Sequence, residues 1–218
     1  MEPLLVTAHL RNGFAASDPW SPALDGILGY WLMRERLGAE EFFVQCARPD
    51  LREPCAQLPL AATEHANHWW YHCSMPLYET QREFLHYFHR RFDARAAERY
   101  MVPPRGRTNT KAGPYKAFRL YQRVRVVSCV QWHVIGDAHE IRRLLRRCTN
   151  IGAKSSHGRG RVDRWDVDAG GDAHKAQHLR PLPVEYADSL GIDGYRIDWG
   201  IRPPVRDHVT DCIIPEIA

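Results

Sequence analysis

Residues 151 to 162 read Ile-Gly-Ala-Lys-Ser-Ser-His-Gly-Arg-Gly-Arg-Val, a short stretch in which nearly every residue type has a use against phosphate. Gly152, Gly158 and Gly160 let the backbone take positive φ and come close to a ligand. Lys154, Arg159 and Arg161 bring positive charge, Ser155 and Ser156 bring hydroxyl donors, and His157 brings an imidazole that can donate or accept. With the backbone N–H groups between them, these residues suit a clamp on a sugar-phosphate backbone. The stretch lacks G-x-x-x-x-G-K-[ST], and Gly158-Arg-Gly-Arg-Val-Asp163 does not fit G-x-G-x-x-G, so neither familiar nucleotide-binding loop is written here. A basic turn without function would have a similar composition.

The charge distribution favours the functional reading. From Met101 to Trp165 there are fifteen Lys or Arg and three Asp or Glu, a local excess of +12 in a chain whose net charge is +4, which leaves the remainder at −8. Charge concentrated in this way draws a polyanion to one face. Arg105-Gly-Arg-Thr-Asn-Thr-Lys-Ala-Gly-Pro114 is too polar and too rich in breakers to pack, and is expected to be a basic loop over 103–114 that offers Arg105, Arg107 and Lys111. Lys116 follows it, and Arg143 and Arg147 lie on the polar face of a later helix.

Other chemistry is less well supported by spacing. His65, His68, His72 and Cys73 fall close together, with Cys46 and Cys55 upstream, yet they match no standard zinc knuckle, and Trp69, Trp70 and Tyr71 among them point to packing or a partner surface. No metal or other cofactor is expected. Asp25 beside Gly26 resembles an acid catalyst only superficially, since a carboxylate in the first turn of a helix is favoured by the helix dipole. The six cysteines include no C-x-x-C pair and are expected to be reduced. With no apolar run long enough to span a bilayer and no secretory leader after Met1, a cytoplasmic protein is expected.

The elements that must position these residues follow from periodicity. Leu4 to Leu10 reads as a strand ended by Asn12-Gly13. Ser21-Pro22 is expected to open a helix with Pro at its first position, carrying Leu24, Ile27, Leu28, Trp31 and Leu32 as the apolar stripe and Gly38 as its C-terminal cap. An irregular insertion follows over 39–115, with a strand near 67–75. Thr80-Gln-Arg-Glu83 matches a capping box, which predicts a helix bearing Phe84, Tyr87, Phe88 and Phe92. Residues 115–127 and 129–135 read as strands that could pair as a hairpin. Asp137 and Glu140 form a second capping box ahead of a helix with Ile141, Leu144 and Leu145 inside. A strand over 161–167 comes after the glycine-rich loop, and 175–218 reads as a strand-and-loop extension rather than a new domain. One domain over 1–218 is expected, of α+β class, compatible with a ferredoxin-like or RRM-type sheet backed by two helices.

Three segments together carry a family resemblance: the loop Ile151 to Trp165, Phe14-Ala-Ala-Ser-Asp-Pro-Trp-Ser-Pro-Ala-Leu-Asp-Gly-Ile-Leu28, and Gly113-Pro-Tyr-Lys-Ala-Phe118. They resemble the type IV member of the Cas-five group in the CRISPR RAMP superfamily, over most of residues 1–167. The resemblance implies a RAMP-type ferredoxin-like domain and a subunit that caps the 5′ handle of a CRISPR RNA. It also implies contact with a Cas-seven-like backbone subunit, with the large subunit of the type IV complex and with target DNA near its flanking motif, and no membrane. By motif position RNA contact is carried to Gly152, Lys154, Ser155, His157, Gly158, Arg159 and Arg161. Arg105, Arg107, Lys111, Lys116, Arg143 and Arg147 are candidates for RNA or DNA. Some RAMP relatives cleave precursor RNA without metal, so an endoribonuclease using His157, Tyr115 with Lys116, or His133 is the alternative, and a protein scaffold with an incidental basic face is the third reading.

Overall fold

The computed structural model describes residues 1–48, 54–93, 95, 96, 99, 109–153 and 155–216. Arg105, Arg107 and Lys154 lie outside them. The class is α+β, built on small antiparallel sheets.

The first strand, β1 (Glu2–Leu10), sits between β7 (Cys129–Gly136) and β8 (Val162–Ala169), antiparallel to both. Alternation decides its faces: Leu4, Val6, Ala8 and Leu10 are buried against two helices, α1 (Leu24–Leu37) and α3 (Ala138–Leu145). Trp132 of β7 and Trp165 of β8 stack at 6.0 Å in this core. Each indole finds an acceptor, the Pro22 carbonyl for Trp132 and the Cys148 carbonyl for Trp165, so neither buried N–H is orphaned. Asp137 caps α3 as expected, accepting from the amides of His139 and Glu140, and those two bonds hold its carboxyl below the usual carboxylate range. Ile141, Leu144 and Leu145 point inward.

Helix α1 begins at Leu24, so Pro22 precedes it instead of occupying its first position, and offers its carbonyl to Trp132. Gly38, at φ 78°, ends α1 and leads into α2 (Ala39–Ala47). The insertion then forms the hairpin β3 (Ala62–His65) and β4 (His68–Tyr71), shorter than the strand expected over 67–75. From His72 to Leu77 the chain runs along the free edge of β7, with single bridges at Cys73 and Leu77.

Two expectations fail in the next stretch. Residues 82–90 form a strand, β5 (Arg82–Arg90), and no helix, although Phe84, Tyr87 and Phe88 have helical spacing. The same residues also alternate, Phe84, His86 and Phe88 against Leu85, Tyr87 and His89, and aromatic residues favour a pleated surface. Glu83, read as the second half of a capping box, instead binds Arg123 and Arg125 across the sheet at 2.7 and 3.2 Å. Nor do the two strands after the basic loop pair with each other. β6 (Phe118–Val126) pairs with β5 and with β2 (Phe14–Ala15), while β7 pairs with β1. The chain passes from one sheet to the other at 11–13 and again at 127–128, so a single antiparallel partnership bends at that corner. Gly13 permits the bend, because a Cβ there would stand 2.5 Å from the Arg125 carbonyl oxygen.

The extension is more structured than the expected strands and loops. It contains the short helices α4 (Ala173–His178) and α5 (Val184–Ser189) and a sheet ordered β10 (Gly194–Gly200), β11 (Val209–Pro215), β9 (Leu182–Pro183). Trp70 leaves the insertion to join Leu182, Ala187, Ile201 and Cys212 in a second small core. Asp25, assigned on sequence to the helix dipole alone, is buried and paired with Arg180 at 3.4 Å.

Burial makes the fold acid-sensitive. It holds His72, His133, His178 and His208 below their ordinary value of 6.5, helped by Arg180 at His72, Lys175 at His133, His174 at His178 and Arg202 at His208. These groups are neutral when folded and charge more readily when unfolded, so the unfolded chain binds more protons below about 6.5 and stability falls with pH there. Thermal midpoints measured from pH 7.5 to 5.5 should be flat at first and then decline below about pH 6.5. A midpoint that rises on acidification would contradict this.

Candidate nucleic-acid interface

The glycine-rich loop emerges from the end of α3 and is closed at its neck. The Ile151 amide donates to the Gly160 carbonyl at 2.8 Å, the Val162 amide to the Thr149 carbonyl at 2.9 Å, and the Asn150 side chain to the Arg159 carbonyl at 3.1 Å. The neck tolerates no side chain at Gly160, where φ is 66° and a Cβ would fall 1.8 Å from the Ile151 carbonyl oxygen. Gly152, at φ 75°, is similarly pressed, its Cβ position lying 2.6 Å from the Ala15 carbonyl oxygen. Gly158 shares the positive φ but faces open space.

The loop is tied to the corner where the two sheets meet. The Ala153 amide donates to the Ala15 carbonyl at 2.8 Å, the Gly160 amide to the Gly13 carbonyl at 3.0 Å, and the Asn12 side chain to the Gly158 carbonyl at 2.7 Å. Several N–H groups that could have met a phosphate are therefore spent on holding the loop. The recognition that remains rests mainly on side chains: Ser155 and His157 in a single 3-10 turn, then Arg159 and Arg161.

Two of those side chains, His157 and Arg159, rest on β5. The His157 ring stacks on Phe88 with centroids 4.7 Å apart and planes at 26°. The Arg159 guanidinium lies over the Phe84 ring at 5.4 Å and meets His86 Nδ1 at 3.2 Å. Its Nε is buried without a hydrogen-bond partner among the described residues. Arg161 and His157 are exposed, and Arg159 is half-buried. An imidazole and a guanidinium thus rest on aromatic rings, with the Arg161 guanidinium on the same hydrogen-bonded loop, an arrangement that can hold phosphates and stack on a base.

Of the residues singled out on sequence, Gly152, Ser155, His157, Gly158, Arg159 and Arg161 come together in this loop, while Lys154, Arg105 and Arg107 lie outside the described residues. Lys111 and Lys116 are exposed on the chain that leads into β6, around the short turn Gly113–Tyr115. Arg143 and Arg147 are elsewhere, on α3. Arg143 binds Glu35 at 2.8 Å and Glu140 at 2.8 Å, and Arg147 reaches Glu35 at 3.5 Å, so their charge is matched within the protein.

The residues proposed for catalysis are not drawn together among the described contacts. His157 stacks on Phe88, His133 accepts the Asp172 amide at 2.9 Å, and Tyr115 packs edge-on against Phe92. The histidine and cysteine cluster of the insertion is likewise dispersed: His72 bonds Thr63 Oγ1 at 2.6 Å, His65 packs on Tyr186, and burial pushes the Cys73 thiol up to about 12, so it stays protonated. Among the described residues no three metal-ligating side chains converge.

Sequence reasoning missed Asn12, Gly13 and Ala15 as anchors of the loop, and Phe84, His86 and Phe88 as its support. Asn12-Gly13 was legible only as the end of a strand. The period-2 alternation of 84–89 was the signal available for the support.

No described helix is long and apolar enough to cross a membrane. No curated protein matches the chain. The family model described as "CRISPR type IV associated protein Csf3" matches residues 2–216. With nearly the whole chain covered, the protein belongs to the Csf3 family and is a type IV CRISPR-associated subunit.

Proposed function

We propose that this subunit binds the CRISPR RNA of a type IV complex and caps its 5′ handle with the loop 151–162, acting by retention and not by cleavage. The observation that carries the reading is the loop itself, pinned by its backbone to Gly13 and Ala15 so that His157, Arg159 and Arg161 are presented on a fixed frame. Preorganised cations bind phosphate without first losing the entropy of an ordered loop. The sheet supports the RAMP reading. The order β8, β1, β7, continued at the β7 edge by the bridged segment around Cys73 and Leu77, with α1 and α3 on one face, is the antiparallel arrangement expected of a ferredoxin-like domain. The dispersed positions of His157, His133 and Tyr115 favour binding over metal-independent cleavage. In this reading the Cas-seven-like backbone subunit, the large subunit and target DNA are the neighbours, and Lys111 and Lys116, with Arg105 and Arg107, lie on a segment suited to RNA or DNA.

The test is to purify the complex from cells that express its whole operon, with the natural chain and with Arg159→Ala plus Arg161→Ala, and to sequence the RNA retained. RNAs that share one 5′ end are expected with the natural chain. The double variant should retain them on the order of tenfold less well, and its salt dependence should be shallower by about 1.4 in log–log slope, about 0.7 for each lost contact to a single strand. Random fragments, or unchanged retention in the variant, would remove the loop from the account.

A further inference from the structure

The ribbon of β5 and β6 has two faces, and the glycine-rich loop covers only one. Phe84, His86 and Phe88 lie beneath the loop, whereas Leu85, Tyr87 and His89 point the other way, opposite Arg123, Tyr121 and Arg119 in the register. β2 pairs with Val124 and Arg125, so among the described residues the ribbon has two strands from Arg123 to Phe118. A two-stranded ribbon gains little stability by itself, and apolar side chains left in water on its open face are unfavourable unless something lies on them. On this face Tyr121 is 68% exposed, Leu85 46% and Tyr87 40%.

The chemistry of the open face narrows what that something is. By the alternation of the register this face carries Arg119, Arg123 and Arg125 against one carboxylate, Glu83, which is already held by Arg123 and Arg125, whereas Arg82 and Arg90 fall on the loop side. The Arg119 guanidinium lies over the Tyr87 ring at 4.4 Å, and the Tyr87 and Tyr121 rings are neighbours at 6.5 Å. Exposed ring faces interleaved with cations form the pattern that binds single strands without reading their sequence, rings meeting bases and cations meeting phosphates. An acidic or apolar protein partner would use the cations or the rings, but has less use for the two alternating.

We propose that the open face of the β5–β6 ribbon is a second nucleic-acid site, taking a single strand whose bases stack on Tyr87 and Tyr121 while Arg119 meets a phosphate. The site lies across the sheet from the loop, does not depend on the handle-capping reading, and needs no handle sequence. The same chemistry fits a stretch of guide RNA beyond the handle or an unpaired DNA strand, and the probes below distinguish them.

The experiment measures binding of the full chain to fluorescent 20-nucleotide single strands that lack any handle sequence, one RNA and one DNA, with a 20-base-pair duplex as control. Single strands should bind better than duplex. Tyr87→Ala with Tyr121→Ala should weaken that binding on the order of tenfold or more, Arg119→Ala should weaken it and flatten its salt dependence, and Tyr87→Phe with Tyr121→Phe should leave it nearly unchanged. The same pair of tyrosine-to-alanine changes made in an Arg159→Ala, Arg161→Ala background should weaken the remaining handle-free binding by a similar factor, because the two sites lie on opposite faces of the ribbon. Preference for the RNA probe would assign the face to the guide, and preference for DNA to an unpaired target strand. Undiminished binding by the double alanine variant, a loss shared equally by the phenylalanine variant, or no preference of the natural chain for single strands would overturn the proposal.

Discussion

Replacing Arg180 with alanine should unfold the chain under conditions where the natural protein is stable, the largest effect expected from any single change outside the aromatic core. Arg180 is 4% exposed and joins three parts of the structure at once. Its Nη1 donates to the Tyr71 carbonyl and, at 3.3 Å, to that of Cys73, at the end of β4. Its Nη2 donates to the Ile201 carbonyl beside β10 and to Asp25 Oδ2, at 3.4 Å, in the first turn of α1. Removing the guanidinium would leave the Asp25 carboxylate and three backbone acceptors buried without it. Loss of one partner of a buried ion pair costs about 3 to 5 kcal/mol, a large part of the roughly 5 to 15 kcal/mol that holds a domain together. Urea unfolding should show the midpoint falling sharply in Arg180→Ala. The double change Arg180→Met with Asp25→Leu should recover much of the loss, because it removes the unpaired charge and fills the space. A shift of under about 1 kcal/mol in Arg180→Ala would mean that the pair is incidental to stability.

Gly160→Ala should release the glycine-rich loop while leaving most of the fold intact. A Cβ at this position would overlap the Ile151 carbonyl oxygen, the acceptor end of neighbouring chain at the neck, and a residue with a side chain is strained at φ 66° in any case. The neck must open, which also breaks the bond from the Ile151 amide to the Gly160 carbonyl and disturbs that from the Gly160 amide to Gly13. Strain of about 1 to 3 kcal/mol, with about 1 kcal/mol for each bond lost, sets the expected cost at roughly 2 to 4 kcal/mol. The informative comparison is with Gly158→Ala. That residue has the same positive φ but open space around it, so it should cost about 1 kcal/mol or a little more. If the loop works as a preorganised clamp, Gly160→Ala should impair RNA retention at least as much as removing the Arg159 guanidinium, although it deletes no charged or polar side chain. Retention that survives Gly160→Ala would show that the cations suffice without the frame.

These two changes separate roles that composition alone runs together. Gly152 and Gly160 serve the fold, since each lies against backbone that no side chain could share, whereas at Gly158 the positive φ alone calls for glycine. Arg143 and Arg147 belong to the basic stretch on paper but answer to Glu35 and Glu140, so they contribute little free charge to a polyanion site. Arg159 and Arg161 are the arginines of that stretch that the loop carries.

By itself the sequence determined whatever depends on neighbours along the chain. The strand at Leu4 to Leu10, the apolar stripe of α1, the cap at Asp137 and the polar, glycine-rich character of 151–162 are local patterns, and local patterns survive reading in one dimension. The tertiary structure decided what depends on partners distant in sequence. Residues 82–90 could satisfy either a helical or a pleated period, and pairing with β6 chose the strand, with Glu83 drawn across to Arg123 and Arg125. β6 and β7 looked like a hairpin because they are adjacent, but β2 and β1 compete for them at the bend. Arg180 and Asp25 are 155 residues apart, and no periodicity relates them. The loop likewise found its anchors at Gly13 and Ala15, more than 130 residues upstream, because backbone groups that must be satisfied on closure take whichever partner the fold brings within reach.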